Sequence, residues 1–158
     1  MNRIIVPIIL AASLLLTAFT DSPQKAPDFK LKKADGTILQ LSKLQGNVVL
    51  LNFWATWCAP CRREIPDFLE AYEKYKAQGF EIVGVALDEE GWEVVTPFVQ
   101  RYKITYPVVI GTGKTVQAYG SFDAIPTSFL IDRKGNIVDH HIGLMTKSQL
   151  EKKLKLLL

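Results

Sequence analysis

Asn47-Val48-Val49-Leu50-Leu51-Asn52-Phe53-Trp54-Ala55 runs straight into Thr56-Trp57-Cys58-Ala59-Pro60-Cys61, and this stretch decides the reading of the whole chain. The first part is almost unbroken apolar sequence, the pattern of a strand buried on both faces among parallel neighbours. Beyond Cys61, residues Ile65, Phe68, Leu69, Tyr72 and Tyr75 recur at spacings of three and four, which is a helical period. The two cysteines therefore open a helix, with Cys58 beside its N-terminus. Pro60 suits the first helical turn, where a missing N–H costs nothing. Unpaired N–H groups and the helix dipole favour a thiolate there, and the thiolate is the form that attacks disulfides.

Cys58 and Cys61 are the only cysteines of the chain. Such a pair is half a metal site, a structural clip or a redox dithiol. A zinc site takes about four ligands, and the only histidines, His140 and His141, stand together far downstream. A four-residue loop is a poor staple, because the entropy it removes from the unfolded chain grows with loop length. The redox dithiol fits the strand–turn–helix setting, with Cys58 as attacker and Cys61 as resolver. That chemistry needs no metal and no organic cofactor.

With 158 residues, 48% of them hydrophobic, the chain is expected to form one domain with a true core. The net charge of +3 is spread thinly, without the basic stripe that nucleic-acid binding requires. The N-terminus differs in kind. After Met1-Asn2-Arg3, no charge occurs from Ile4 to Thr20, and Asp21-Ser22-Pro23 follows. Residues 1–20 read as a signal peptide or N-terminal membrane anchor, on the short side for a span of about 20 residues. Residues 21–27 read as a linker and 28–158 as the domain. The expected location is exported: the periplasm or the outer face of the cytoplasmic membrane. Exported proteins ordinarily use cysteines as staples. A lone CxxC pair there needs a partner to set its redox state, which points to electron delivery across a membrane.

Further along, Phe29–Lys32 and Thr37–Leu41 alternate around Asp35-Gly36, a hairpin signal. Ser42–Gly46 reads as a short helical turn. The CxxC helix ends near Gln78-Gly79, and Pro66 inside it predicts a kink. A β-rich run follows from Phe80 to Leu87, then Asp88-Glu89-Glu90-Gly91 as the cap of a helix over 92–103. Pro97 predicts a kink or a late start for that helix. A strand over 107–110, a helix over 114–119, strands over 127–132 and 137–142, and a final helix over 147–158 capped by Thr146 or Ser148 complete the order. The class is α/β, a central mixed β-sheet flanked by helices on both faces, in three layers, with an extra N-terminal β-hairpin.

Phe53-Trp54-Ala55-Thr56-Trp57-Cys58-Ala59-Pro60-Cys61, Pro66, and Ile125-Pro126-Thr127 before a strand resemble the thioredoxin fold. Ala26-Pro27-Asp28-Phe29, the Asp35-Gly36 hairpin and Leu51-Asn52-Phe53-Trp54 are similar to the exported TlpA/ResA-type thiol–disulfide oxidoreductases, with an opening like that of the AhpC/TSA redoxins. The resemblance implies a cis peptide at Pro126, lying against the dithiol and leaving the Ile125 backbone to pair with an extended substrate. It places Trp57, Ala59, Pro60, Ile125, Pro126 and Thr127 at the substrate surface. It also matches Glu64 to an active-site glutamate that raises thiol pKa values or relays protons; the other reading of Glu64 is a solvated carboxylate paired with Arg62 or Arg63. At the position of Asn52, cytosolic thioredoxins carry a buried aspartate. Asn cannot take up a proton, which leaves Glu64 as the carboxylate to tune Cys61.

The implied function is reduction of protein disulfides, for example in cytochrome c maturation, by a monomer recharged by a membrane thiol-electron transporter. Protein thiols and disulfides are the implied partners. Three rival readings use the same residues: a peroxiredoxin-like peroxidase, whose cysteine pattern Leu51 and Ala55 do not supply, a copper carrier adding His140 or His141, and a purely structural disulfide. Trp54 reads as core, and the two histidines as structural or surface residues, one pointing in and one out.

Overall fold

The computed structural model describes residues 23–158. The segment read as a signal peptide or anchor lies outside the described residues. Among the described residues no helix is long and apolar enough to cross a membrane.

A small hairpin, β1 (Lys30–Lys32) and β2 (Ile38–Gln40), precedes the strand β3 (Val48–Trp54) and the helix α1 (Ala59–Tyr75). Then come β4 (Phe80–Ala86), α2 (Trp92–Tyr102), β5 (Val108–Ile110) and α3 (Gly113–Ala118). Strands β6 (Thr127–Ile131) and β7 (Ile137–Ile142) and the helix α4 (Lys147–Leu154) close the chain. The main sheet has the order β5-β4-β3-β6-β7. β3 and β5 run parallel to β4, and β6 is antiparallel to both β3 and β7. This is the thioredoxin-like arrangement expected from the sequence, with the extra hairpin as a separate two-stranded sheet.

Every residue of β3 is buried, because strands flank it and layers cover both faces. Val48, Leu50 and Trp54 meet Ile65, Phe68 and Ala71 of α1, Val95 of α2, and Leu150 and Leu154 of α4. Val49, Leu51 and Phe53 point the other way, into a cluster with Leu39, Leu41 and Tyr119. Asn52 interrupts the first row. Its register partners are Gly84 on β4 and Ser128 on β6. A Cβ at Gly84 would stand 2.9 Å from Trp54 Nε1 and 3.3 Å from Tyr106 Cε2, so only glycine leaves room for both rings.

Several local expectations change on contact with the structure. Asp88 does not cap α2: the N-cap is Gly91, without a side-chain cap, and the Asp88 carboxylate turns back to Thr56. α2 starts at Trp92, so the late start that Pro97 allowed does not occur; α1 holds Pro66 inside it, as expected. The short turn predicted over 42–46 is a 3-10 turn over Leu41–Leu44. Thr146, rather than Ser148, caps α4 and makes a reciprocal capping box with Gln149. α4 ends at Leu154, its last buried position, and Leu156 is 84% exposed. Part of the stretch read as linker is docked. Ile137 N donates to Gln24 O at 2.8 Å and Ala26 N to Gly135 O at 3.0 Å, tying residues 24–26 to the start of β7.

Candidate active site

The C-terminal end of β3 delivers Thr56 and Trp57 to the start of α1. Asp88, just past β4, fixes this corner from below: its carboxylate accepts from the Thr56 N–H, 3.1 Å to each oxygen, and from the Thr56 hydroxyl. Leu87 N donates to Trp54 O at 2.9 Å, so two consecutive residues after β4 hold the strand end and the turn. Asp88 is buried. Leaving its acceptors or the Thr56 N–H unpaired would cost about 1–3 kcal/mol.

Cys58 is the N-cap of α1 and Pro60 lies in the first turn. Cys58 and Cys61 are joined as a disulfide. The Cys61 N–H points at Cys58 Sγ, 3.3 Å away, so a thiolate at Cys58 would find a backbone donor already aimed at it. Ile125 and Pro126 are linked by a cis peptide bond, and Ile125 O lies 3.6 Å from Cys58 Sγ. Trp57 is 67% exposed, Ala59 is exposed, and Pro60 and Ile125 are half-buried. Pro126 and Thr127 are buried, and the Thr127 hydroxyl donates to Ala124 O at 2.7 Å, bracing the turn before the strand. The structure thus sets the cis-Pro loop beside the Cys58 end of the disulfide through the Ile125 carbonyl; Glu64 lies on the other side.

The Cys61 end faces inward. Cys61 has no exposure, and Glu64, one turn on, is only 1% exposed. The solvated reading of Glu64 is therefore corrected: Arg62 and Arg63 are exposed and Glu64 is not. Its position falls on the apolar stripe of α1 with Cys61, Ile65 and Phe68, over the polar interruption at Asn52. Asn52 Nδ2 donates to Glu64 Oε1 at 2.8 Å and to Ser128 Oγ at 3.0 Å, and Met145 N donates to Glu64 Oε2 at 3.1 Å. Burial pushes the Glu64 carboxyl up to about 7, against the pull of the bonds from Met145 and Asn52. Nearby, burial and then the Glu64 charge raise the Tyr106 hydroxyl well above its ordinary range.

Trp54 is buried as read, but its Nε1 has no partner. His140 stacks on Phe129 with ring centroids 4.4 Å apart, whereas the ring of His141 reaches Leu144 O. Among the described residues, no group of three or more His, Cys, Asp or Glu is placed to hold a metal ion. Sequence reasoning missed Asp88, Ser128, Met145 and Tyr106 as parts of the site. Ser128 had a visible signal, a polar residue at the middle of a strand.

A CxxC disulfide at a helix N-terminus, beside a cis-Pro loop in a thioredoxin-like fold, defines a thiol–disulfide oxidoreductase. Residues 23–140 match the AhpC/TSA family model. The thiol-disulfide oxidoreductase ResA of Bacillus cereus (strain ZK) is 40% identical over 159 residues, covering 94% of this chain and 91% of that protein. The thioredoxin-like protein YneN of Bacillus subtilis (strain 168) is 41% identical over 84% of this chain and 78% of its own length. Among solved structures, a thiol:disulfide interchange protein of the thioredoxin family from Chlorobium tepidum TLS superposes with a TM-score of 0.80 at 33% identity, covering 86% of this chain and 97% of that one. StoA from Bacillus subtilis gives 0.69 at 33% identity, over 82% and 98%. The chain belongs to the AhpC/TSA family, and it is a thiol–disulfide oxidoreductase of the ResA/DsbE type.

Proposed function

We propose that the protein is an extracytoplasmic reductant of protein disulfides, with apocytochrome c as the favoured substrate class. The observation that carries the mechanism is a buried carboxyl, raised to about 7 by burial, one helical turn from the sealed sulfur of the pair. In the reduced protein the Cys58 thiolate, at the N-terminus of α1, attacks one sulfur of a substrate disulfide. The substrate S–S bond breaks, a mixed disulfide forms, and the departing substrate thiolate takes a proton. Glu64 accepts the Cys61 proton, and the Cys61 thiolate attacks Cys58 Sγ. The second substrate thiol leaves with a proton, and the Cys58–Cys61 disulfide remains. Two electrons pass to the substrate, whose two thiols take one proton from Cys61, by way of Glu64, and one from water. Trp57, Ala59 and Pro60 offer the contact surface, and the loop of Ile125, Pro126 and Thr127 aligns the substrate backbone.

The uncharged run from Ile4 to Thr20 supports export or anchoring, which makes a membrane thiol-electron transporter the fitting source of electrons. The reduction potential, measured by equilibration with glutathione mixtures, tests the direction. A value near that of thioredoxin, about −270 mV, supports a reductant, and a value near −120 mV overturns the direction and makes the protein a disulfide donor.

A further inference from the structure

Glu64 is held by one peptide group that has a second anchor. Met145 N donates to Glu64 Oε2 at 3.1 Å, and the carbonyl of the same peptide, Leu144 O, lies 3.2 Å from His141 Nε2. A carbonyl only accepts, so Nε2 carries a proton in this contact. His141 pairs in register with Ser128, and Ser128 with Asn52. Antiparallel register partners share a face. The row Asn52–Ser128–His141 therefore crosses the sheet beneath α1, and its outer end, on the edge strand β7, is half-buried rather than sealed.

We propose that His141 is a positioning residue for Glu64, acting through the Leu144–Met145 peptide, whose carbonyl it holds and whose N–H holds the carboxylate. The peptide is conjugated. A donor on its oxygen draws electrons from nitrogen and makes the N–H a stronger donor, and an imidazolium does so more than a neutral ring. A charged His141 ring thus favours ionised Glu64 more than a neutral one does. The charged or titratable groups on the elements packed around this row include Asp139 on β7, bonded to Lys153 of α4, His140 on the opposite face of β7, stacked on Phe129, Asp67 of α1, which accepts from Lys147 N, and Lys147, whose Nζ is bonded to Glu70. Tyr106 stands on the Glu64 side. Asp139 Oδ1 is taken by Lys153 and its buried Oδ2 has no partner, so among the described residues the Leu144–Met145 peptide is the hydrogen-bonded route between His141 and Glu64. The link itself is structural; its consequence for turnover rests on the reading of Glu64 as the proton carrier for Cys61.

The test is an NMR titration of the full-length oxidised protein, in which neither cysteine titrates. The Glu64 side-chain carboxyl carbon and the Met145 amide are followed in wild type, His141→Leu and His141→Gln. In wild type the Met145 amide shift is expected to track the His141 ring resonance. In His141→Leu the Glu64 midpoint is expected to rise by roughly half a pH unit, since the donor that strengthens its bond is gone. His141→Gln keeps an N–H donor without a titrating charge, so the midpoint should stay closer to wild type while the pH-dependent drift of Met145 disappears. A Met145 amide indifferent to the His141 titration, or an unmoved Glu64 midpoint in a folded His141→Leu protein, overturns the link. Loss of the catalytic reading of Glu64 is seen elsewhere, as an unchanged Cys61 titration in Glu64→Gln, so the two failures are distinguishable.

Discussion

The two ends of the Cys58–Cys61 pair are three residues apart, yet they open onto regions made of different material. Around Cys58 lie exposed Trp57 and Ala59 and the carbonyl of Ile125, with the buried Asp88 carboxylate tied to Thr56 behind them. Around Cys61 lie Asn52, Glu64, Ser128 and the Met145 N–H, a polar island inside an apolar core. One end is built to be reached and the other to hold a proton out of water. The contrast comes from helix geometry: position 58 caps α1 between exposed Trp57 and Ala59, itself only 4% exposed, whereas 61 and 64 fall on the stripe that meets β3.

The sharpest way to break the contrast is to remove either sulfur. Cys61→Ser is expected to lose turnover entirely and to accumulate a mixed disulfide at Cys58, seen by non-reducing electrophoresis. Cys58→Ser should trap almost none, and equal trapping by both variants would erase the distinction. Next is Glu64. Its folded-state pKa of about 7 lies above the ordinary 4.5, so the folded protein binds more protons between those values. The stability is fully present below about pH 4.5 and falls as pH rises through 7, by about 3 kcal/mol in total. Denaturant melts across that range should show this slope in wild type and lose it in Glu64→Gln.

A smaller effect is expected at the corner shared by the two regions. Asp88→Ala leaves the Thr56 N–H without its acceptor and should lower stability by about 2 kcal/mol in the same melts; an unchanged midpoint would mean that Asp88 does not hold the turn. Trp57→Ala should change stability least, within about 0.5 kcal/mol, because the ring is 67% exposed. It should slow reaction with protein disulfides more than with a small disulfide reagent, and equal slowing would remove Trp57 from the docking surface.

The sequence made the outer region far more legible than the inner one. The strand, turn and helix around Cys58 follow from an unbroken apolar run and a clean helical period, both local signals. The element order followed too, since each strand and helix carries its own pattern. Glu64 was readable in two ways, because a glutamate beside Arg62 and Arg63 looks like surface. Only its place on the stripe of Cys61, Ile65 and Phe68, opposite Asn52, decides for burial. Asp88 misled for a physical reason: an acid before a helix usually caps it, and its true partner, Thr56, lies 32 positions back. The Leu144–Met145 peptide and the docking of residues 24–26 on β7 depend on backbone groups brought together by the fold, which no side-chain pattern announces.

The contrast rests on Glu64 acting on Cys61 from within the core, and the ultraviolet absorbance of the thiolate measures that directly. With Cys58→Ser as background, Cys61 is the only thiol, and its titration is compared with and without Glu64→Gln. The carboxylate is expected to hold the Cys61 thiol up by like-charge repulsion, so Glu64→Gln should lower its midpoint by about one pH unit. Superimposable titrations in the two proteins would contradict that role and leave Glu64 as a buried structural acid.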